Sequence, residues 1–260
     1  MKTLKIFLKL CELNLKKLLI YRASFFISLA LMGMWVMAYV ILIEVIFYHT
    51  STLAGWNKGS VLLVMSFYYF VQNLSDIFFK ENFEQFGDNL RRGELDFNIV
   101  KPAPLRLLTF FREIRFDHAA GLLITSGLFT YAFKNLPAPI SVNHLLLGFI
   151  FALVSVVLYF SMLSIISTIT FWIQKNDTFS ALIFNVTQLS RYPRQIYRQI
   201  VGKILTFALP LALLGSLPAE VAVQFENGSL PIIFIGITIG FYFLGRIFWE
   251  YGLTKYTSAN

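Results

Sequence analysis

The sequence predicts an all-α polytopic membrane protein, on two observations. The chain is 57% hydrophobic and 14% charged, with a mean hydropathy of +0.67; a water-soluble domain carries far more charge. Runs of about 20 apolar residues also recur along it, and each can cross a hydrocarbon core about 30 Å thick. A backbone in lipid must satisfy its own polar groups, so these runs read as helices. The expectation is one membrane domain over 1–260, with six transmembrane helices and loops too short to hold a soluble catalytic domain.

Charge placement supports this. The 22 Lys and Arg against 14 Asp and Glu give a net charge of +8. The basic residues cluster beside the spans, where cytoplasmic loops face anionic lipid, and call for no nucleic acid. Cys11 is the sole cysteine, which excludes an intramolecular disulfide and a cysteine metal site.

Residues 1–22 read as a surface helix. Leu4, Phe7, Leu8, Cys11, Leu15 and Leu18 make one stripe, with Lys2, Lys5, Lys9, Glu12 and Lys16 opposite. The pattern suits a helix lying in the cytoplasmic membrane surface, or a plain positive-inside anchor. The basic stretch is too long for a signal peptide. Span one is set at Ala23–Phe47, with Glu44 near its far end as a structural charge. After a short external loop, span two covers Ser60–Phe79, and Asp76 and Lys80 can pair along it.

A polar island follows at Glu81–Pro102, within a cytoplasmic loop over 81–103. Phe83, Phe86 and Leu90 recur at helical spacing, and Asp88, Arg91 and Arg92 fall off their face. Gly93 can stop that helix in the left-handed conformation. Leu95, Phe97 and Ile99 then alternate, which predicts an extended strap up to Lys101-Pro102. The plainer alternative is a solvated loop. Leu105–His118 reads as an interfacial helix leading into a short span three, His118–Phe133, that borrows a turn from the Arg115 side. Span four is His144–Trp172, where Ser155, Ser161, Ser164, Ser167 and Thr168 offer small positions for close packing.

The next stretch has two readings. Positive charge at Arg191, Arg194, Arg198 and Lys203 favours Lys203–Leu217 as span five. Alternatively Asp177–Tyr192 is span five, and 198–224 is an external re-entrant hairpin broken at Pro210. Both leave six spans and cytoplasmic termini. The last span is Leu230–Phe248.

Several chemistries are missing. There is no phosphate-binding Gly-rich loop, no His-Glu-x-x-His and no Gly-x-Ser-x-Gly. His49, His118 and His144 fall at span ends, so no metal and no cofactor is expected. Buried ionisable groups look nearly absent, which argues against a self-powered carrier or channel. A non-transporting assembly or regulatory subunit is a further alternative. Phe67, Tyr68 and Tyr69 in span two are candidate walls of a translocation path, although with 28 Phe and 12 Tyr packing is the default for any one aromatic.

Arg91-Arg92-Gly93-Glu94-Leu95-Asp96 with Lys101-Pro102 resembles the hallmark of one group of membrane subunits. So do Arg191-Tyr192-Pro193, Leu209-Pro210 with Leu217-Pro218-Ala219-Glu220, and the ending from Trp249 to Ala259. These are the permeases of prokaryotic ATP-binding-cassette (ABC) exporters of the type-2 superfamily, in the daunorubicin- or multidrug-type subgroup. The resemblance covers essentially the whole chain. It implies a permease without a catalytic site of its own, in the bacterial cytoplasmic (inner) membrane with both termini inside. It would pair with a second permease copy or a paralogue and with two ATP-binding subunits, which hold ATP and Mg. The resemblance implies that the loop between spans two and three docks on that ATPase through Phe83, Phe86, Leu90, Arg91, Arg92, Gly93, Glu94 and Asp96. It also favours the re-entrant hairpin, and a hydrophobic or amphipathic substrate moving outward between two permeases.

Overall fold

The computed structural model describes residues 2–20, 22–173, 185–197, 199–224 and 228–256. Among them the secondary structure is helical, apart from one isolated bridge between Leu53 and Trp56. The chain is an all-α, multi-pass membrane protein. Four helices are long and apolar enough to cross a bilayer, at 25–49, 58–78, 142–171 and 230–255. A bent pair, 200–208 with 210–223, would make a fifth.

Helix α3 (Lys58–Phe78) is the axis. Asn57 starts it, its side-chain oxygen accepting from the Ser60 amide at 2.9 Å, which satisfies one orphan donor of the first turn. Every residue from Gly59 to Tyr69 is buried, as expected of a helix enclosed on all sides. It packs against α8 (Ala120–Lys134), α9 (Val142–Thr168) and α11 (Leu213–Val223). Helix α2 (Arg22–His49) crosses α8 and leaves Phe26, Leu31, Met34, Trp35 and Ile41 facing outward. Helix α12 (Leu230–Lys255) packs on α9. Their contact is made by small residues: Gly245 faces Ser161 and Ser164, and Gly252 faces Thr168. The Ser161 and Thr168 hydroxyls donate to the carbonyls four residues back, at 2.7 and 2.6 Å, so these two hydroxyls are satisfied within α9 and do not oppose the close approach.

Helix α8 has 15 residues, too few to cross alone. A 3₁₀ turn at Phe116–Ala119 extends it, which is the turn expected from the Arg115 side. The preceding segment is not one interfacial helix: α7 (Leu105–Phe110) stops early, because the Arg115 amide instead donates to the Ile77 carbonyl at 2.8 Å. Glu44, near the far end of α2, accepts from Lys58 at 3.2 Å and Tyr131 at 2.7 Å.

A straight span over Lys203–Leu217 does not form. Helix α10 (Gln199–Lys203) runs into a π-helical turn, Ile204–Ala208, and the chain bends by 79° before α11. Pro210 lacks an N–H and cannot continue the helix. Trp56 donates to Gln195 at 3.2 Å before the bent pair, and Gln224 meets His144 after it. Trp56 and His144 lie at the starts of α3 and α9, so both approaches sit at one end of the bundle. The first half of Asp177–Tyr192, together with Arg198 and the tail motif 257–259, lies outside the described residues.

Candidate functional site

The opposite end of the bundle carries a platform of four short helices: α4 (Lys80–Glu84), α5 (Phe86–Arg91), α6 (Glu94–Ile99) and α7 (Leu105–Phe110). The expected single amphipathic helix is interrupted at Gln85, and the expected extended strap is the helix α6. Gly93 lies between α5 and α6 at φ 70°, a left-handed stop as the sequence indicated. Beyond it Leu95 and Asn98 turn inward at i, i+3 spacing. Alternation of apolar residues suggested a strand; the glycine turn and burial of one helical face won instead.

Aromatic stacking holds the platform to the bundle. Phe83 stacks on Phe110 at 4.3 Å between centroids, and Phe110 meets Trp249 of α12 at 4.8 Å. Phe86, only 2% exposed, sits 5.6 Å from both Trp249 and Phe171. Phe83 and Phe86 are therefore inside the bundle, not on a docking face. Leu90 is half-buried against the same cluster. Polar braces complete the attachment. Asn82 exchanges two hydrogen bonds with the backbone of residue 113, at 2.8 and 2.9 Å. Arg115 holds Asp117 through two bonds at 3.0 and 2.9 Å and Glu81 at 3.1 Å, and these neighbours push its guanidinium pKa up. Arg112 pairs with Glu94 at 2.6 Å, and Asp96 lies beside Tyr256.

Helix α1 (Lys2–Ile20) is tied to the same platform. Asn14 donates to the Arg112 carbonyl at 3.0 Å, Lys17 pairs with Glu113 at 2.9 Å, and Phe7 meets Phe111 edge-on. Leu8 and Leu15 stay exposed, as a membrane-surface helix requires. On its polar side, Lys16 and Lys9 lower the Glu12 carboxyl to about 2.

What remains outward on the platform is compact. Phe97 is 67% and Val100 81% exposed, with Ile99 between them. Arg92 and the Asp88–Arg91 ion pair lie on the exposed part of α5. Of the eight residues that the resemblance implied, only Arg91 and Arg92 face outward; Glu94 and Asp96 brace the platform. Phe97 and Ile99 were read with Leu95 as an alternating strap and Val100 was not singled out, so the exposure of these three residues was not foreseen.

The second feature is a cavity of about 600 Å³ between α2, α3 and the segment 185–191. Tyr68 and Tyr69, two of the candidate path residues, line it. Phe67 does not: it is fully buried in a cluster with Phe129 and Phe149 at 5.0 and 5.3 Å. Alternate faces of α3 explain the split. Asp76 and Lys80 pair at 2.7 Å on the cavity floor.

Buried ionisable groups are present, contrary to expectation. Arg191 is 4% exposed, its guanidinium 3.7 Å from the Tyr39 ring centroid. Glu220 is 2% exposed and accepts from Arg194 at 2.8 Å, Gln195 at 3.0 Å and Ser216 at 2.8 Å. Loop charges in the sequence are drawn inward because α11 returns into the bundle beside them. Among the described residues no cluster of His, Cys, Asp and Glu could hold a metal.

The family model described as ABC-2 family transporter protein matches residues 12–260. Compared with curated proteins and with solved structures, the chain has no significant match.

Proposed function

The chain belongs to the ABC-2 transporter family, and from that premise we propose that it is the permease subunit of an ATP-driven exporter. The family is one of transporter membrane subunits, which implies an ATP-binding-cassette partner and does not call for catalysis in this chain. In this reading two permeases, alike or paralogous, sit over two ATP-binding subunits that hold ATP and Mg. The platform end is cytoplasmic in the bacterial inner membrane, as are both termini, and 198–224 re-enters from outside. The 79° bend, with both its approaches at the far end, supports the re-entrant part.

The observation that carries the proposal is the exposed apex Phe97–Val100 on a braced platform. An apolar patch held against water at the end of a rigid element marks a protein contact. Because α1, the platform and residues 110–117 are joined by hydrogen bonds and stacked rings, displacement of the apex by a closing ATPase dimer would move α3, α9 and α12 together. The cavity beside α3 would then change shape, and an amphipathic substrate would leave outward.

Co-purification from the native host tests this. A Phe97→Asp/Arg91→Glu double variant is expected to insert and fold normally yet lose the ATP-binding subunit that wild type retains. An unaltered yield of that subunit with the double variant, or none with wild type, would refute the proposed surface. Absence from wild type would also bring forward the self-powered and the assembly readings.

A further inference from the structure

We propose that the cavity between α2 and α3 binds an amphiphile with an acidic headgroup, and that Arg191 is its anchor. This rests on the permease reading and adds the substrate class. Arg191 lines the cavity level with Tyr68, the midpoint of α3. Its guanidinium lies over Tyr39 at 3.7 Å and near Tyr68 at 5.4 Å, and it touches the Tyr69 hydroxyl. It meets no carboxylate among the described residues, and its Nε has no hydrogen-bond partner. Ring faces attract a cation, but a guanidinium presents five N–H donors, and leaving a buried charge without a counterion is costly.

The remaining charges of the wall do not supply that counterion. Asp76 is already neutralised by Lys80 at 2.7 Å. Among the described residues one uncompensated positive charge is left, so the complementary guest is an anion. The cavity is not shaped for a free ion. From Tyr68 to Asp76 it follows α3 for about 12 Å at the helical rise and reaches Lys80 of α4, and its open side is bordered by Leu31 and Trp35, both exposed on the outer face of α2. An acidic head on Arg191 with an alkyl or aromatic tail leaving past Trp35 satisfies both walls.

Direct binding to the purified full chain, without any ATP-binding subunit, tests the site. Radiolabelled dodecyl phosphate in neutral detergent is expected to bind saturably. Excess inorganic phosphate and dodecyltrimethylammonium should fail to displace it, a comparison that needs no variant. Arg191→Gln should weaken binding by about tenfold or more, the loss expected for hydrogen bonds to a charged group, with Arg191→Lys intermediate. Displacement by the cationic amphiphile or by inorganic phosphate, or unchanged affinity in a folded Arg191→Gln protein, would overturn the proposal. The exporter reading would survive that failure, since it is decided by co-purification; conversely, lost co-purification would leave the binding result standing.

Discussion

Glu220 shows how much one buried charge can organise. Its carboxylate takes two bonds from Arg194, at 2.8 and 3.2 Å, and one each from Gln195 and Ser216. Ser216 also accepts from the Arg194 amide at 3.1 Å, so segment 194–195 is fastened to α11. Removing one partner of a buried pair leaves an unpaired charge and costs about 3–5 kcal/mol. Arg194→Ala should therefore lower the melting temperature in detergent strongly, and an Arg194→Ala/Glu220→Gln double variant should recover part of that loss. An Arg194→Ala protein as stable as wild type would mean the network contributes nothing. Little of this was legible beforehand. Arg194 and Glu220 are 26 positions apart, and positive charge near an apolar run ordinarily signals a solvated loop. Asp76 and Lys80, four apart on one helix, were legible for the opposite reason: local spacing alone brings them together.

Among the elements, α11 and the platform helices set the geometry. Helix α11 crosses α3 at Gly215, where an added Cβ would lie 2.7 Å from the Ser190 carbonyl oxygen and 2.8 Å from that of Val64. Backbone atoms cannot swing aside as a side-chain tip can. Gly215→Ala is expected to cost about 1–3 kcal/mol, read as a lower thermal midpoint; an unchanged midpoint would show that α11 is not held against α3. Gly93 makes a different demand. At φ 70° a side chain is strained by about 1–2 kcal/mol, so Gly93→Ala should loosen the α5–α6 turn and raise protease sensitivity there while leaving the spans intact. The turn was legible from glycine alone. The helicity of 94–99 was not, because a six-residue alternation fits a strand equally well and only the pocket that receives Leu95 and Asn98 decides between them. The serines of α9 were legible as packing positions, since small residues at close intervals in an apolar helix have few other uses.

On the whole-molecule scale the chain joins two sites through one helix. Helix α3 carries Tyr68 and Tyr69 on the cavity and ends against α4, whose Phe83 enters the aromatic clamp. The all-α membrane class was legible from composition, because no other solvent tolerates so many unbroken apolar runs. The proposed docking face was legible only as a neighbourhood: the polar island was located, but Phe83 and Phe86 point into the bundle while Phe97 stays outside it, and apolar residues near a membrane core turn inward when a pocket is available.

The exposed apex makes the most direct test. With Cys11 replaced by Ser, Val100→Cys provides one reactive thiol at a position that is 81% exposed. A membrane-impermeant maleimide is expected not to label it in intact cells. In inside-out vesicles it should label slowly while the ATP-binding subunit is present and rapidly once that subunit is stripped. Labelling from outside the cell, or one rate with and without the subunit, would contradict the account.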